Sequence, residues 1–377
     1  MSILFRKAEA RSISYQDVWG SGGSVDGLTA DSITDALRVA AVYAATSLIA
    51  DMIAASPWAV YDDGDDQPKR WKQQPALVTS PGHRGLDLFS WKHQMATSCL
   101  LRGNAFGYIL DTDTRGIPSV VKWLKPDDVR LDDDERDFYW KGRLIPAEEL
   151  IHIPGYVVPG SRLGLSPLGL FKMQIETGMQ AQKFGKNFFR RGAVPTAVLK
   201  NTQKSLTAEQ ASEVKQRFIS SVSSSEPFVA GADWSYEAIS VPQGEVQFLA
   251  GIKATANQIA AVYRVDPSDV GGESGGSTLK YATLEMNQLN FAVRTLRPWA
   301  TRFETVLSQY LPPKSRYIKF NLDAAARADL KTRYEAHSIA LGKRPFKRVD
   351  EVRRLEELPP DEELNAITPP KIGATSA

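Results

Sequence analysis

Between residues 246 and 311, two stretches of helical apolar period flank a glycine-rich gap. Leu249, Ile252, Ala256, Ile259 and Tyr263 step by three, four, three and four, one stripe of an amphipathic helix. Asp266, Pro267, Gly271, Gly272, Gly275 and Gly276 break that period, and the run reads as a mobile loop too rich in glycine to fold onto itself. Ser277 and Thr278 can cap a new helix, along which Leu289, Val293, Leu296, Ala300, Phe303, Leu307 and Leu311 recur. That predicts a helix of roughly 30 residues, about 45 Å long. Pro298 lies inside it; lacking an amide hydrogen and crowding the carbonyl of Arg294, it predicts a kink. A long kinked helix beside a mobile loop fits an element bordering a passage. It fits a kinked core helix with an ordinary surface loop as well.

The remaining pattern is that of an α+β chain. A helix is expected from Ser32 to about Ser56, with Leu37, Ala41, Ala44, Leu48 and Met52 on one face, then a short strand at 58–61. A helix over 89–101 leads to an alternating strand carrying Phe106, Tyr108 and Leu110. Strands near 120–124, 129–131, 138–140 and 150–153 complete an antiparallel sheet. Ser166 and Pro167 have the order of cap and first helical residue, opening a helix to about Arg191. Gly178 and Gly185 sit inside that helix, seven apart on one face. Each costs about 1 kcal/mol against alanine, so a close-packed neighbouring helix is expected there. Residues 193–244 read as a small unit of strand, helix capped by Thr207, and two short strands. After Pro312 and Pro313, a strand at 317–321 leads to charged helices near 328–341 and 348–358, then a tail expected to be disordered.

Composition narrows the function classes. With 46 basic and 44 acidic residues among 377, the net charge of +2 supplies no global field toward DNA or an anionic membrane. The longest apolar run, 39–50, is too short to span a bilayer. Cys99 is the only cysteine, so an internal disulfide and a thiolate zinc cluster are excluded and a reducing cytoplasm suits the chain. Residues 62–66 look like part of a calcium loop, but Arg70 stands where the bidentate glutamate belongs, and a solvated hairpin tip is the plainer reading. Asp132, Asp133 and Asp134 read as a loop charge run, and His152 as a hydrogen-bonded core histidine. No metal or other cofactor is expected. The spacing of Gly271, Gly276, Ser277 and Thr278 matches a phosphate loop, yet Ser277 occupies its lysine position and no buried strand precedes it. Six basic residues and no acidic one lie in 183–204, including Lys183, Lys186 and Arg190; phosphate contact and a basic helix end satisfying the helix dipole fit equally.

Taken in order, these segments resemble the portal proteins of tailed double-stranded DNA bacteriophages, in particular the short portals of siphovirus-like phages and gene-transfer particles. The resemblance covers roughly residues 30–360. It rests on Ala41-Val42-Tyr43-Ala44-Ala45, Gly103-Asn104-Ala105-Phe106, Leu150-Ile151-His152-Ile153, Gly164-Leu165-Ser166-Pro167-Leu168 and residues 189–199. It continues through Ile259-Ala260-Ala261-Val262-Tyr263-Arg264-Val265-Asp266-Pro267, Leu296-Arg297-Pro298 and Asp350-Glu351-Val352-Arg353. Asp266 stands where the family usually has a second proline.

The resemblance implies a subunit of a ring of about twelve, at one capsid vertex in the virion and in the host cytoplasm during assembly. It implies a flexible arm (1–30), a wing (31–166 and 279–321), a two-helix stem (167–192 and 245–265), a clip (193–244), a tunnel loop (266–278), a helical crown (322–360) and a disordered tail (361–377). Stem packing would use Gly178, Gly185, Leu249, Ile252 and Ile259, and Pro298 would kink the wing helix. Gly271, Gly272, Ser274, Gly275, Gly276, Ser277 and Lys280 would face DNA in the channel, with Lys183, Lys186 and Arg190 as DNA-facing stem residues. The implied partners are other copies of the chain, double-stranded DNA without sequence preference, the terminase large subunit, a head-tail adaptor, the major capsid protein and scaffold, with no membrane and no catalysis. Two rival classes stay open: an enzyme acting on nucleotides or phosphodiesters, which needs converging carboxylates or a phosphate loop, and a monomeric adaptor or scaffold.

Overall fold

A computed structural model describes residues 33–63, 69–132, 134–190, 197–201, 207–223, 234–238, 244–273, 281–322, 330–342, 347–356 and 359. The expected arm, the tip of the 62–66 hairpin and the tail beyond Pro359 lie outside the described residues.

The first helix is two helices: α1 (Ile33–Leu37) and α2 (Ala40–Ala55) are separated by a turn at Arg38 and Val39. Burying Val42, Ala45, Ile49 and Ile53 makes α2 the central helix of the main core. Strand β1 (Trp58–Asp62) pairs with the short β2 (Lys69–Arg70), and α3 (Ala76–Thr79) follows. Helix α4 (Leu88–Arg102) is capped by Asp87, whose carboxylate accepts from Ser90 N, and stopped by Gly103 in the left-handed region. Its Trp91 Nε1 donates to Val121 O at 3.0 Å, and its Lys92 Nζ to Ser56 O at 2.7 Å.

The single expected sheet is two three-stranded sheets. Strands β3 (Asn104–Thr112) and β4 (Pro118–Leu124) form one with β8 (Leu150–Pro154), in the order β4-β3-β8. The other is β5 (Val129–Leu131), β6 (Phe138–Trp140) and β7 (Arg143–Ile145). Strand β7 escapes the alternation rule because Leu144 is exposed while only Ile145 is buried. Phe106, Leu124, Val129, Phe138, Ile145, Leu150 and Leu163 make a second small core between these sheets. Asp132 is more than a charge in a loop, since its Oδ1 accepts from Arg136 N and Asp137 N and shapes the turn into β6.

The helix expected from residue 167 is also two. Ser166 caps α5 (Pro167–Leu170) by accepting from Gly169 N, and Phe171 leaves helical geometry before α6 (Lys172–Arg190). Strand β9 (Ala197–Asn201), helix α7 (Ala208–Ser223) and strand β10 (Trp234–Ala238) follow, with β9 and β10 antiparallel. Thr207 and Gln210 form a reciprocal capping box at the start of α7. The second short strand expected before 244 falls outside the described residues. Helix α8 (Gly244–Tyr263) packs against α6 and α2.

The long helix comprises α9 (Tyr281–Phe291), a π segment (Ala292–Leu296) and α10 (Arg297–Ser308). Wider i to i+5 turns directly before Pro298 give its ring room without an α-type carbonyl beneath it. The same segment corrects the expected stripe. Leu296, Ala300, Phe303, Leu307 and Leu311 are buried, but Leu289 and Val293 are exposed. One extra residue per bulge rotates the preceding turns by about 100°, so an apolar period that is continuous in sequence is split between core and surface. Strand β11 (Arg316–Phe320) then returns to pair antiparallel with β1. Helices α11 (Leu330–Ala340) and α12 (Val349–Leu355) end the described chain, joined by His337 Nε2 to Glu356 Oε1 at 2.9 Å.

Candidate functional site

Helices α6 and α8 bracket the β9-α7-β10 unit in the chain and lie against one another. They meet at Gly178, where a Cβ would stand 3.1 Å from Thr255 Cγ2 of α8 and 3.4 Å from Val39 Cγ1. The helix neighbour that Gly178 requires is therefore supplied by this same chain. Gly185 is buried as well. On α8, Ala256, Ile259, Ala260 and Tyr263 are buried and Ile252 is half-buried; Tyr263 Oη donates to Leu100 O at 3.3 Å. Lys183 and Lys186 are exposed. The side chains of Leu249 and Arg190 lie outside the described residues.

The chain leaves α8 through Arg264, held at a φ of 57°, where a non-glycine residue is strained. Thr295 Oγ1, inside the π segment, donates to Arg264 O at 2.5 Å and so ties the end of α8 to the long helix. Burial lowers the pKa of the Arg302 guanidinium on α10, and the positive charge of Arg264 lowers it further.

Beyond that point the expectation of a loop that cannot fold onto itself fails for its first half. Asp266 caps a turn of 3-10 helix (Pro267–Val270), its Oδ1 accepting from Ser268 N at 2.9 Å and Ser268 Oγ at 2.6 Å. Its Oδ2 accepts from Asn287 Nδ2 at 3.3 Å, a second tie to the long helix. Gly271 takes a φ of 81°, and Gly272 N donates to Pro267 O at 2.7 Å. Gly272 is glycine because a Cβ would stand 2.1 Å from Asn257 Oδ1. Glu273 N donates to that same oxygen at 3.0 Å, while the Glu273 carboxylate pairs with Lys253 of α8. The two glycines thus let the chain fold back on α8. Ser274, Gly275, Gly276, Ser277 and Lys280 lie outside the described residues. Asp269 has its pKa raised, mainly by burial and then by the neighbouring Asp266.

The sequence marks Asp266 only as a break in the helical period and a departure from the family pattern, and Arg264 only as part of a motif; it does not mark Thr295 or the Lys253-Asn257-Glu273 anchor. Asp266 was legible: Asp before Pro is the same cap-then-proline order that marked Ser166 and Pro167. The others depend on contacts between distant segments.

This arrangement offers little to reaction chemistry. The amides of Gly272 and Glu273 are already used inside the chain, so they are not left to cradle a phosphate. His152 Nε2 lies 3.0 Å from Asn104 Oδ1, and burial, with a smaller contribution from Arg162, pulls its pKa down to about 4. Burial pushes the Cys99 thiol well above its usual range, which makes it a poor nucleophile. Among the described residues no group of three or more His, Cys, Asp or Glu side chains could hold a metal ion, and no helix is long and apolar enough to cross a membrane.

The fold is a helical and sheet body with two paired helices that bracket the β9-α7-β10 unit and a long helix that carries a π segment. The chain belongs to the phage portal protein family, whose model matches residues 40–357. It is 29% identical over 359 residues to the probable portal protein of Streptomyces phage phiC31, covering 86% of this chain and 76% of that one. It is 24% identical over 347 residues to the portal protein of Enterobacteria phage HK97, covering 86% and 80%. Among solved structures, an HK97-family phage portal protein from Corynebacterium diphtheriae shares the fold with a TM-score of 0.58 at 16% identity, over 79% of this chain and 97% of that one. The neck of an empty gene transfer agent particle, computed with sixfold symmetry, matches with a TM-score of 0.61 at 18% identity, over 91% and 97%.

Proposed function

We propose that this chain is the subunit of a ring of about twelve copies at one vertex of a phage head. The ring's channel passes double-stranded DNA during packaging and ejection. The ring docks the terminase large subunit and the head-tail adaptor, sits among the major capsid protein and scaffold, and catalyses no reaction itself. The observation that carries this reading is the α6–α8 pair: one face is buried against the body, while Lys183 and Lys186 are exposed on α6 ahead of the β9-α7-β10 unit. A twelvefold neck from a native gene transfer agent particle, which matches 86% of this chain with a TM-score of 0.57, supports the ring size.

Near-neutral net charge suits a surface that DNA must slide past, because each fixed phosphate contact adds affinity and hence friction. Within that picture the stem lysines give a weak, sequence-independent attraction, and the tunnel-loop stretch, 266–278, is the part of the chain nearest the DNA. Native mass measurement and negative-stain imaging of the purified chain test the reading. A ring of about a dozen subunits with a central hole is expected; a monomer at high protein concentration would favour the adaptor reading.

A further inference from the structure

The apolar stripe that the π segment turns outward is one surface that the fold of a single chain leaves unexplained. Met286, Leu289 and Val293, spaced by three and four, are 56%, 50% and 59% exposed. In an uninterrupted α-helix Leu289 would point with Leu296 and Ala300 into the core; the extra residue carries it to the solvent side. The exposed stripe is thus built into the backbone. Arg294, beside it, is exposed and makes no ion pair among the described residues.

We propose that this stripe packs on the outer face of α2 in a second copy of the chain, around Tyr43 and Asp51. The proposal rests on the ring reading above. A closed ring joins two different patches on each subunit, so the counterpart of the stripe must lie elsewhere on the same chain. Tyr43 is 59% exposed on α2, whose opposite face is fixed in the core by Val42, Ala45, Ile49 and Ile53. Eight residues further along, about 12 Å, the Asp51 side chain is 57% exposed, with His93 Nε2 of α4 at 3.5 Å. Met286 and Arg294 are also eight residues apart. An aromatic group followed by an acid on one copy therefore matches, in spacing and in charge, an apolar stripe followed by a base on the next.

The test uses the full chain, with native mass as readout and circular dichroism as the control for folding. Val293→Asp alters an exposed position and is expected to remain folded while rings fall to monomers. Asp51→Arg and Arg294→Asp should each lower the ring fraction at least tenfold, and the double variant should restore it. If wild type forms no ring, the ring reading itself fails. If wild type forms rings and Val293→Asp does so equally, the ring stands and the stripe is not its interface. Should Val293→Asp rings persist while residues 1–32 become newly sensitive to protease, the stripe belongs to that segment of the same chain. Failure of the double variant to recover would overturn the pairing of Asp51 with Arg294.

Discussion

Substitution of Gly164 by alanine should be among the most damaging single-methyl additions in the chain. Three backbone segments meet there: the end of α4 at Gly103, the end of β8 at Gly155, and the segment leading into α5 at Gly164. Gly155 N donates to Gly103 O at 2.7 Å, and a Cβ on Gly164 would lie 2.2 Å from that same oxygen and 2.6 Å from Gly155 N. Both obstacles are backbone, so no side chain can rotate away. Asn104 closes the junction, donating from Nδ2 to Gly164 O at 2.7 Å and accepting from Gly164 N at 2.8 Å. Overpacking a rigid site costs about 1–3 kcal/mol, and each hydrogen bond weakened by the shift adds about 1 kcal/mol. The expected loss is therefore about 3–5 kcal/mol, a large share of a typical domain's margin. Gly116→Ala is the control: its φ is 77° but nothing lies within 4 Å, so only backbone strain of about 1 kcal/mol applies. Urea titration followed by tryptophan fluorescence reads both, because Trp91, on the helix that ends at the junction, is fully buried. A Gly164→Ala loss no larger than that of Gly116→Ala would refute the argument.

Other outcomes follow from the same geometry. Gly178→Leu should destabilise the single subunit, by about 2 kcal/mol or more, before any assembly is measured, since its side chain meets Thr255 and Val39 of its own chain; an unchanged melting temperature with lost assembly would place its partner on another copy. His152 has a folded pKa near 4 against an ordinary 6.5, so the unfolded chain binds the extra proton first and stability should fall as pH drops from about 6.5 to 4, by roughly 3 kcal/mol. His152→Gln should flatten that slope in acid titrations of stability. Lys183→Ala with Lys186→Ala should leave folding untouched, because both are exposed, while weakening non-specific duplex binding and its salt dependence, by up to about two counterions per subunit.

Local rules located most elements because each has its own signal. Asp87 and Gly103 bound α4, Ser166 and Pro167 open α5, and alternation marks β3. The limits of that reading are also local. The turn at Arg38 and Val39 and the break at Phe171 interrupt helices without glycine or proline at those positions. Val39 is buried in the core and fills the space beside Gly178, a tertiary contact that helical propensity does not carry. At the site, the glycine-rich run from Gly271 reads in the sequence as freedom to move. At Gly272 the missing side chain serves close approach instead, to Asn257 of α8.

The long helix shows why the apolar period of a sequence predicts burial only while the backbone keeps one pitch. Leu289 through Leu311 carry one apolar period, yet the π segment at Ala292–Leu296 places its two ends on different faces. That segment is held by contacts the period does not contain: Pro298, whose ring disfavours an α carbonyl beneath it, and Thr295, whose hydroxyl reaches Arg264 O across 31 residues. Because Arg264 follows the last residue of α8, the helix that presents Leu289 and Val293 is tied to the exit of α8 by two hydrogen bonds, Thr295 Oγ1 to Arg264 O and Asn287 Nδ2 to Asp266 Oδ2.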